Sequence, residues 1–132
     1  MKPFLLPIRV RFAETDAMGI VHHSNYFAYL EAARIALLDE LGLPYTKLIE
    51  LGFHLPLVSA QINFRTPAKF DDRLEIETLM QPMSGATFTI GYKIRRGSDL
   101  LAEASTTHAF INSSGQAVRP PKEFLAIVGK SA

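Results

Sequence analysis

The sequence predicts an α+β fold in which a five-stranded antiparallel sheet curves around one long helix. Three observations lead there. Between about Asn25 and Leu41 apolar residues recur every three or four positions, the period of a helix with one buried face. After Gly52 the pattern changes to alternation and keeps it almost to the end, the period of strands. The 132 residues, 48% hydrophobic and 20% charged, are enough for one core. A sheet with one apolar face must cover it, and one helix is long enough to do so.

The elements follow in order. Ile8 to Phe12 alternates apolar residues with Arg9 and Arg11 and reads as a first strand whose arginines line a solvated face. Ala13 to His23 is a loop containing Thr15, Asp16 and Gly19. Ser24 stands where an N-cap is expected, because its hydroxyl can accept an orphan N–H of the first turn. The helix stripe is Tyr26, Leu30, Ala33, Leu37 and Leu41, flanked by Phe27 and Leu38. Gly42 supplies a left-handed residue past its end and Pro44 forbids continuation. A shorter helical turn, Tyr45 to Leu51, ends at Gly52 in the same way. Four strands then form a meander: Leu55–Phe64, Leu74–Met80, Thr87–Arg95 and Leu100–Ile111. In the third of them Phe88, Ile90, Tyr92 and Ile94 oppose Thr87, Thr89, Lys93 and Arg95. Arg96-Gly97-Ser98-Asp99 is its hairpin turn. Pro120-Pro121 introduces a short C-terminal helical piece with Phe124, Leu125 and Ile127. The plan is one domain over residues 1–132, with no repeat, linker or leader peptide and a mature start near Met1.

Composition narrows the chemistry. Fourteen Lys and Arg against 13 Asp and Glu give a net charge of +1, too little field to capture nucleic acid or an anionic bilayer. No run approaches the roughly 20 apolar residues of a membrane span. The absence of cysteine removes disulfides, thiolate metal sites and thiol nucleophiles, and fits a cytoplasmic protein. His22 and His23 are adjacent and diverge, while His54 and His108 lie on other elements, so no metal site is expected.

Polar residues crowd the stretch before the long helix: Glu14, Thr15, Asp16, Gly19, His22, His23, Ser24 and Asn25. A helix N-terminus carries partial positive charge and unpaired N–H donors, so a carbonyl oxygen placed there would have its developing negative charge stabilised. Asp16 nearby could act as base toward water or as nucleophile toward the carbonyl carbon, and Gly19 lets backbone come close to a substrate. The same residues can also do no more than shape a turn and cap a helix. Tyr26, Phe27 and Tyr29 read as packing residues.

The run VRFAETDAMGIVHHSNY from Val10 to Tyr26, with Glu31 and Arg34 on the helix and FRTPAKFDD from Phe64 to Asp72 followed by Leu74, resembles the signature of hotdog-fold acyl-CoA thioesterases of the 4-hydroxybenzoyl-CoA thioesterase type, including their Tol-Pal-linked branch. The resemblance implies a hotdog fold that forms dimers or tetramers, with active sites at the dimer interface. It assigns Asp16 as the catalytic carboxylate and His23 as the residue whose backbone N–H polarises the thioester carbonyl, with a His here also given a catalytic role. Gly19 is then the close-approach glycine, and Ser24 and Tyr26 adjoin the substrate. An arrangement with the catalytic Glu on the central helix fits less well, because Asp16 occupies the loop position. Arg65, Lys69, Arg95 and Arg96 are the candidate cations for the phosphates of CoA, which is part of the substrate; no cofactor is needed. Two other readings are a non-catalytic acyl-CoA-binding protein, which would not need Asp16, and an enoyl-CoA hydratase, whose Gly-Asp-x-Asn-Pro pattern is missing.

Overall fold

The computed structural model describes residues 2–129, so the expected start at Met1 lies outside the described residues. Its elements are β1 (Phe4–Arg9), a 3-10 turn (Phe12–Glu14), α1 (Ser24–Glu40), α2 (Tyr45–Glu50), β2 (Leu57–Phe64), β3 (Arg73–Met80), β4 (Phe88–Arg96), β5 (Asp99–His108) and α3 (Lys122–Gly129). All strand pairs are antiparallel. The sheet curves against α1, which packs on β3 and β1, the hotdog arrangement that the resemblance implied.

The strand order is β1-β3-β4-β5-β2, and this corrects the expected four-strand meander. The strands β3, β4 and β5 do follow one another, whereas β2 lands beside β5 at the far edge. Alternation tells a strand which face to bury and says nothing of its neighbours.

The first strand is also displaced from the expected Ile8–Phe12. Pro7 sits inside β1, tolerated because this is an edge strand with one ladder to satisfy. The strand ends where the Val10 N–H donates to the Asp72 carbonyl at 2.9 Å. Glu14 then closes the 3-10 turn, its N–H donating to the Arg11 carbonyl at 3.0 Å and its carboxylate accepting the Arg11 N–H at 2.9 Å. Phe12 is left 74% exposed instead of facing the core, and Arg11 is paired with Glu14 instead of lining a strand face.

The core lies between α1 and the inner face of the sheet. Tyr26, Tyr29, Leu30, Ala33, Leu37 and Leu38 of α1 are buried against Leu74, Ile76, Ile90, Tyr92 and Ile94. Burying each large aliphatic side chain contributes about 1.5–3 kcal/mol. Both glycine stops perform as expected. At Gly42 (φ 79°) and Gly52 (φ 89°), the next residue's N–H reaches back six positions inclusive, Leu43 to Leu38 and Phe53 to Leu48, closing a Schellman motif each time.

The two margins of the sheet differ. The β1 margin carries Pro7, and Arg9 beside it is clamped to Asp71 at 2.6 Å. Along β2, seven of eight residues are exposed, and the strand contains neither proline nor a charged residue. No helix among the described residues is long and apolar enough to cross a membrane.

Candidate active site

The loop between the 3-10 turn and α1 folds back on itself as a small hairpin. Thr15 bridges Val21, the Asp16 N–H donates to the Ile20 carbonyl at 2.9 Å, and the Gly19 N–H donates to the Asp16 carbonyl at 3.0 Å. Gly19 closes this turn at φ 76°, in the left-handed region where a side chain is strained. One carboxylate oxygen of Asp16 accepts the Met18 N–H at 2.8 Å, so Asp16 does shape its own turn. Its carboxylate is exposed on the rim of a cleft.

That cleft has a volume of about 360 Å³. Ile20, Val21, Tyr26 and Phe64 form apolar walls, and Asp16, His23 and Arg65 supply the polar groups. Phe64 meets Tyr26 edge-on with ring centroids 4.9 Å apart. Tyr26 is 2% exposed and its hydroxyl accepts the Ala68 N–H at 3.3 Å, which ties α1 to the segment carrying Arg65.

The start of α1 is built differently from the expectation. Ser24 is the first helical residue, not the N-cap, and no side-chain cap bond is made from the capping position, which His23 occupies in helical conformation. The reason is local: Nδ1 of His22 accepts the Ser24 N–H at 3.2 Å and lies 2.8 Å from the Ser24 hydroxyl, so an imidazole does the work expected of the serine. Ser24 is thereby turned from the cleft lining. The N–H groups of Asn25 and Tyr26 donate to the carbonyls of His22 and His23. The His23 N–H donates to no acceptor among the described residues, which leaves one open donor at the positive end of a 17-residue helix, beside the cleft. The His22 and His23 rings do not diverge as expected but stack, with centroids 4.2 Å apart. Among the described residues no three His, Cys, Asp or Glu side chains are grouped to hold a metal ion.

The four candidate cations part company. Arg65 lines the cleft and also pairs with Glu103 at 3.0 Å. Lys69 is exposed on the segment that bridges Ile20, next to the Asp16 turn. Arg96 is held by Asp72 at 2.8 Å. Arg95 shares the outer face of the sheet with Glu75 and Glu77, opposite buried Ile76 and Ile94, and is not brought to the cleft.

The sequence did not single out Glu14. Its side chain is buried, yet it stays ionised: burial pushes its carboxyl up, but the Arg11 N–H, the Tyr29 hydroxyl and the Arg11 guanidinium together hold it below the usual carboxylate range. The available signal was the Arg11-x-x-Glu14 spacing, that of an i,i+3 ion pair. Desolvation and this same hydrogen bond push the Tyr29 hydroxyl well up. His108, the other strongly shifted group, is buried at the end of β5, away from the cleft. Burial, and the positive charge of Arg34, push it down to about 4.

The sequence profile of the thioesterase-like superfamily matches residues 10–128. An acyl-CoA thioesterase of Haemophilus influenzae is 32% identical over 127 residues, covering 93% of this chain and 92% of its own. Among solved structures, a hypothetical protein of Aquifex aeolicus superposes with a TM-score of 0.91 at 39% identity, over 96% of this chain and 99% of its own. A 1,4-dihydroxy-2-naphthoyl-CoA thioesterase of Synechocystis superposes with a TM-score of 0.87 at 27% identity, over 96% of each chain.

Proposed function

Since the chain belongs to the thioesterase-like superfamily, we propose that it is an acyl-CoA thioesterase that hydrolyses its substrate with Asp16 and the His23 N–H. The observation that carries this reading is that an exposed carboxylate and an unpaired helix-start N–H open onto one cleft. In the proposed reaction the thioester carbonyl oxygen accepts the His23 N–H, whose helix dipole favours the charge that develops there. The carbonyl carbon is then attacked either by the Asp16 carboxylate, giving a mixed anhydride that water opens, or by a water whose proton Asp16 takes. In both routes the C–S bond breaks, the electron pair leaves with the CoA sulfur, and free acid and CoA result.

The other residues take their places in this reading. Gly19 holds the Asp16 turn, Tyr26 forms a wall, and the His23 imidazole sits at the cleft for a supporting role. Arg65 and Lys69 are best placed for the phosphates of CoA, Arg96 is engaged by Asp72, and Arg95 faces elsewhere. The reaction needs no cofactor or metal, and we assign the enzyme to the cytoplasm. The bare β2 margin favours a homo-oligomer built by pairing that strand with a second copy, as a dimer or a dimer of dimers.

The test is thiol release measured across a panel of aromatic and aliphatic acyl-CoA thioesters. Turnover of at least one is expected, with Asp16→Asn lowering kcat by about 10²–10⁴-fold and leaving Tm nearly unchanged. Binding without turnover across the panel, or a fully active Asp16→Asn variant, would refute the reading.

A further inference from the structure

Glu14 is a buried charge that the proposed reaction does not use. It does not line the cleft, so it is not a reacting group. It nevertheless joins the Asp16 loop to the start of α1. One carboxylate oxygen accepts the Arg11 N–H and the Tyr29 hydroxyl, each at 2.9 Å, and the other accepts Nε and Nη2 of Arg11 at 3.1 and 3.0 Å. Its backbone carbonyl accepts the His22 N–H and the Asn25 side-chain amide, both at 2.9 Å. The side chain thus bolts the loop to the second turn of α1 through Tyr29, while the backbone bolts it to the helix start on either side of His23. Asp16 follows two residues later, at the turn of the hairpin whose base Glu14 anchors. Arg11 keeps 77% of its side chain in solvent, and so exposed a pair contributes little, so stability alone is a poor reason for this arrangement.

We propose that Glu14 is a positioning residue that fixes the Asp16 turn relative to α1, and so aligns the carboxylate with a carbonyl held at the His23 N–H. This rests on the roles proposed for Asp16 and His23. Glutamine keeps the size of Glu14 and one acceptor, but it turns an amide N–H₂ toward the Arg11 guanidinium, donor against donor. The loop then shifts against the helix while the backbone bonds to His22 and Asn25 remain.

The experiment is a double-mutant cycle of Glu14→Gln with Asp16→Asn, read as kcat and KM for the acyl-CoA that the wild type turns over best, with Tm recorded throughout. Expected is a kcat loss of about tenfold or more for Glu14→Gln alone, the scale of misaligning a reacting group by a fraction of an ångström, with KM changed by less than about threefold. In the Asp16→Asn background the same substitution should lower the residual kcat by less than about twofold, since no carboxylate is left to misalign. Tyr29→Phe removes one donor to Glu14, and its kcat should fall in the same direction; it carries the test if Glu14→Gln does not fold. An unchanged kcat in a folded Glu14→Gln, or an equal loss in both backgrounds, overturns the inference and leaves the Asp16 reading standing. A fully active Asp16→Asn overturns that reading and this one with it.

Discussion

Acid should destabilise this protein through His108 well before its carboxylates titrate. The imidazole is 1% exposed, stacked on Phe88 with ring centroids 5.2 Å apart. Its Nε2 lies 2.9 Å from the Thr106 hydroxyl, which is itself bonded to the Tyr92 hydroxyl at 2.6 Å. Burial and Arg34 depress it from 6.5 to about 4. Between these two values the unfolded chain binds a proton that the folded chain refuses, so stability is lost as pH falls through this window. The loss approaches about 1.4 kcal/mol per pH unit; integrated, it is about 2 kcal/mol at pH 5 and about 3 kcal/mol at pH 4. For a chain of 132 residues, 2 kcal/mol corresponds to a Tm lower by roughly 7 °C. Above about pH 5 Glu14 and Asp71 do not confound this window, because both are held below their ordinary values of 4.5 and 3.8 and lose their native-state advantage as pH falls past those values. The assay is calorimetry from pH 7 to pH 4.5 at fixed protein concentration, wild type beside His108→Gln. The remaining histidines are common to both proteins, so the difference in slope isolates His108. A wild-type Tm that is flat from pH 7 to pH 5, or an equal slope in the variant, would refute the argument.

Two further outcomes follow from the loop and the sheet margin. Gly19→Ala should cost about 1–2 kcal/mol through backbone strain, because a Cβ there meets no atom within 4 Å; Gly19→Asn, a residue that tolerates left-handed backbone, should recover much of the lost Tm, and equal losses would show that space and not conformation is limiting. Light scattering should give a mass of two or four times the 14.7 kDa chain, with Val58→Lys on the open margin shifting it toward one chain; a fully active monomer at micromolar concentration would count against β2 pairing.

Much of this molecule was legible from periodicity. The stripe of α1 and the alternation of β3 and β4 locate those elements to within a residue or two, because burial on one face leaves its period in the sequence. What period cannot carry is adjacency, so the order of the sheet was misjudged. The expected first strand starts at Ile8, past Pro7, although an edge strand accommodates that proline. At the site, polar density before a helix points to Asp16 and the family resemblance adds His23; both line one cleft. The alternation that defines β4 sets Arg95 with Lys93 on the face away from the helix, and so away from the cleft. Glu14 was legible only in part: its bond to Arg11 spans three residues, but its bond to Tyr29 joins segments 15 residues apart. A serine at the head of a helix pointed to a hydroxyl cap, and nothing local showed that the neighbouring imidazole would take that bond.

The unequal margins give the sheet a valence of one. A second molecule adding at β2 would find the free edge of an eight-residue strand, but the composite would then end at β1 on both sides. There Pro7 offers no N–H, and Arg9, fastened to Asp71, would bring its charge against any incoming strand. Growth by strand addition would therefore terminate after a single step. A sheet that could polymerise from either border would be free to form fibres; one with a single open border would stop at a closed pair.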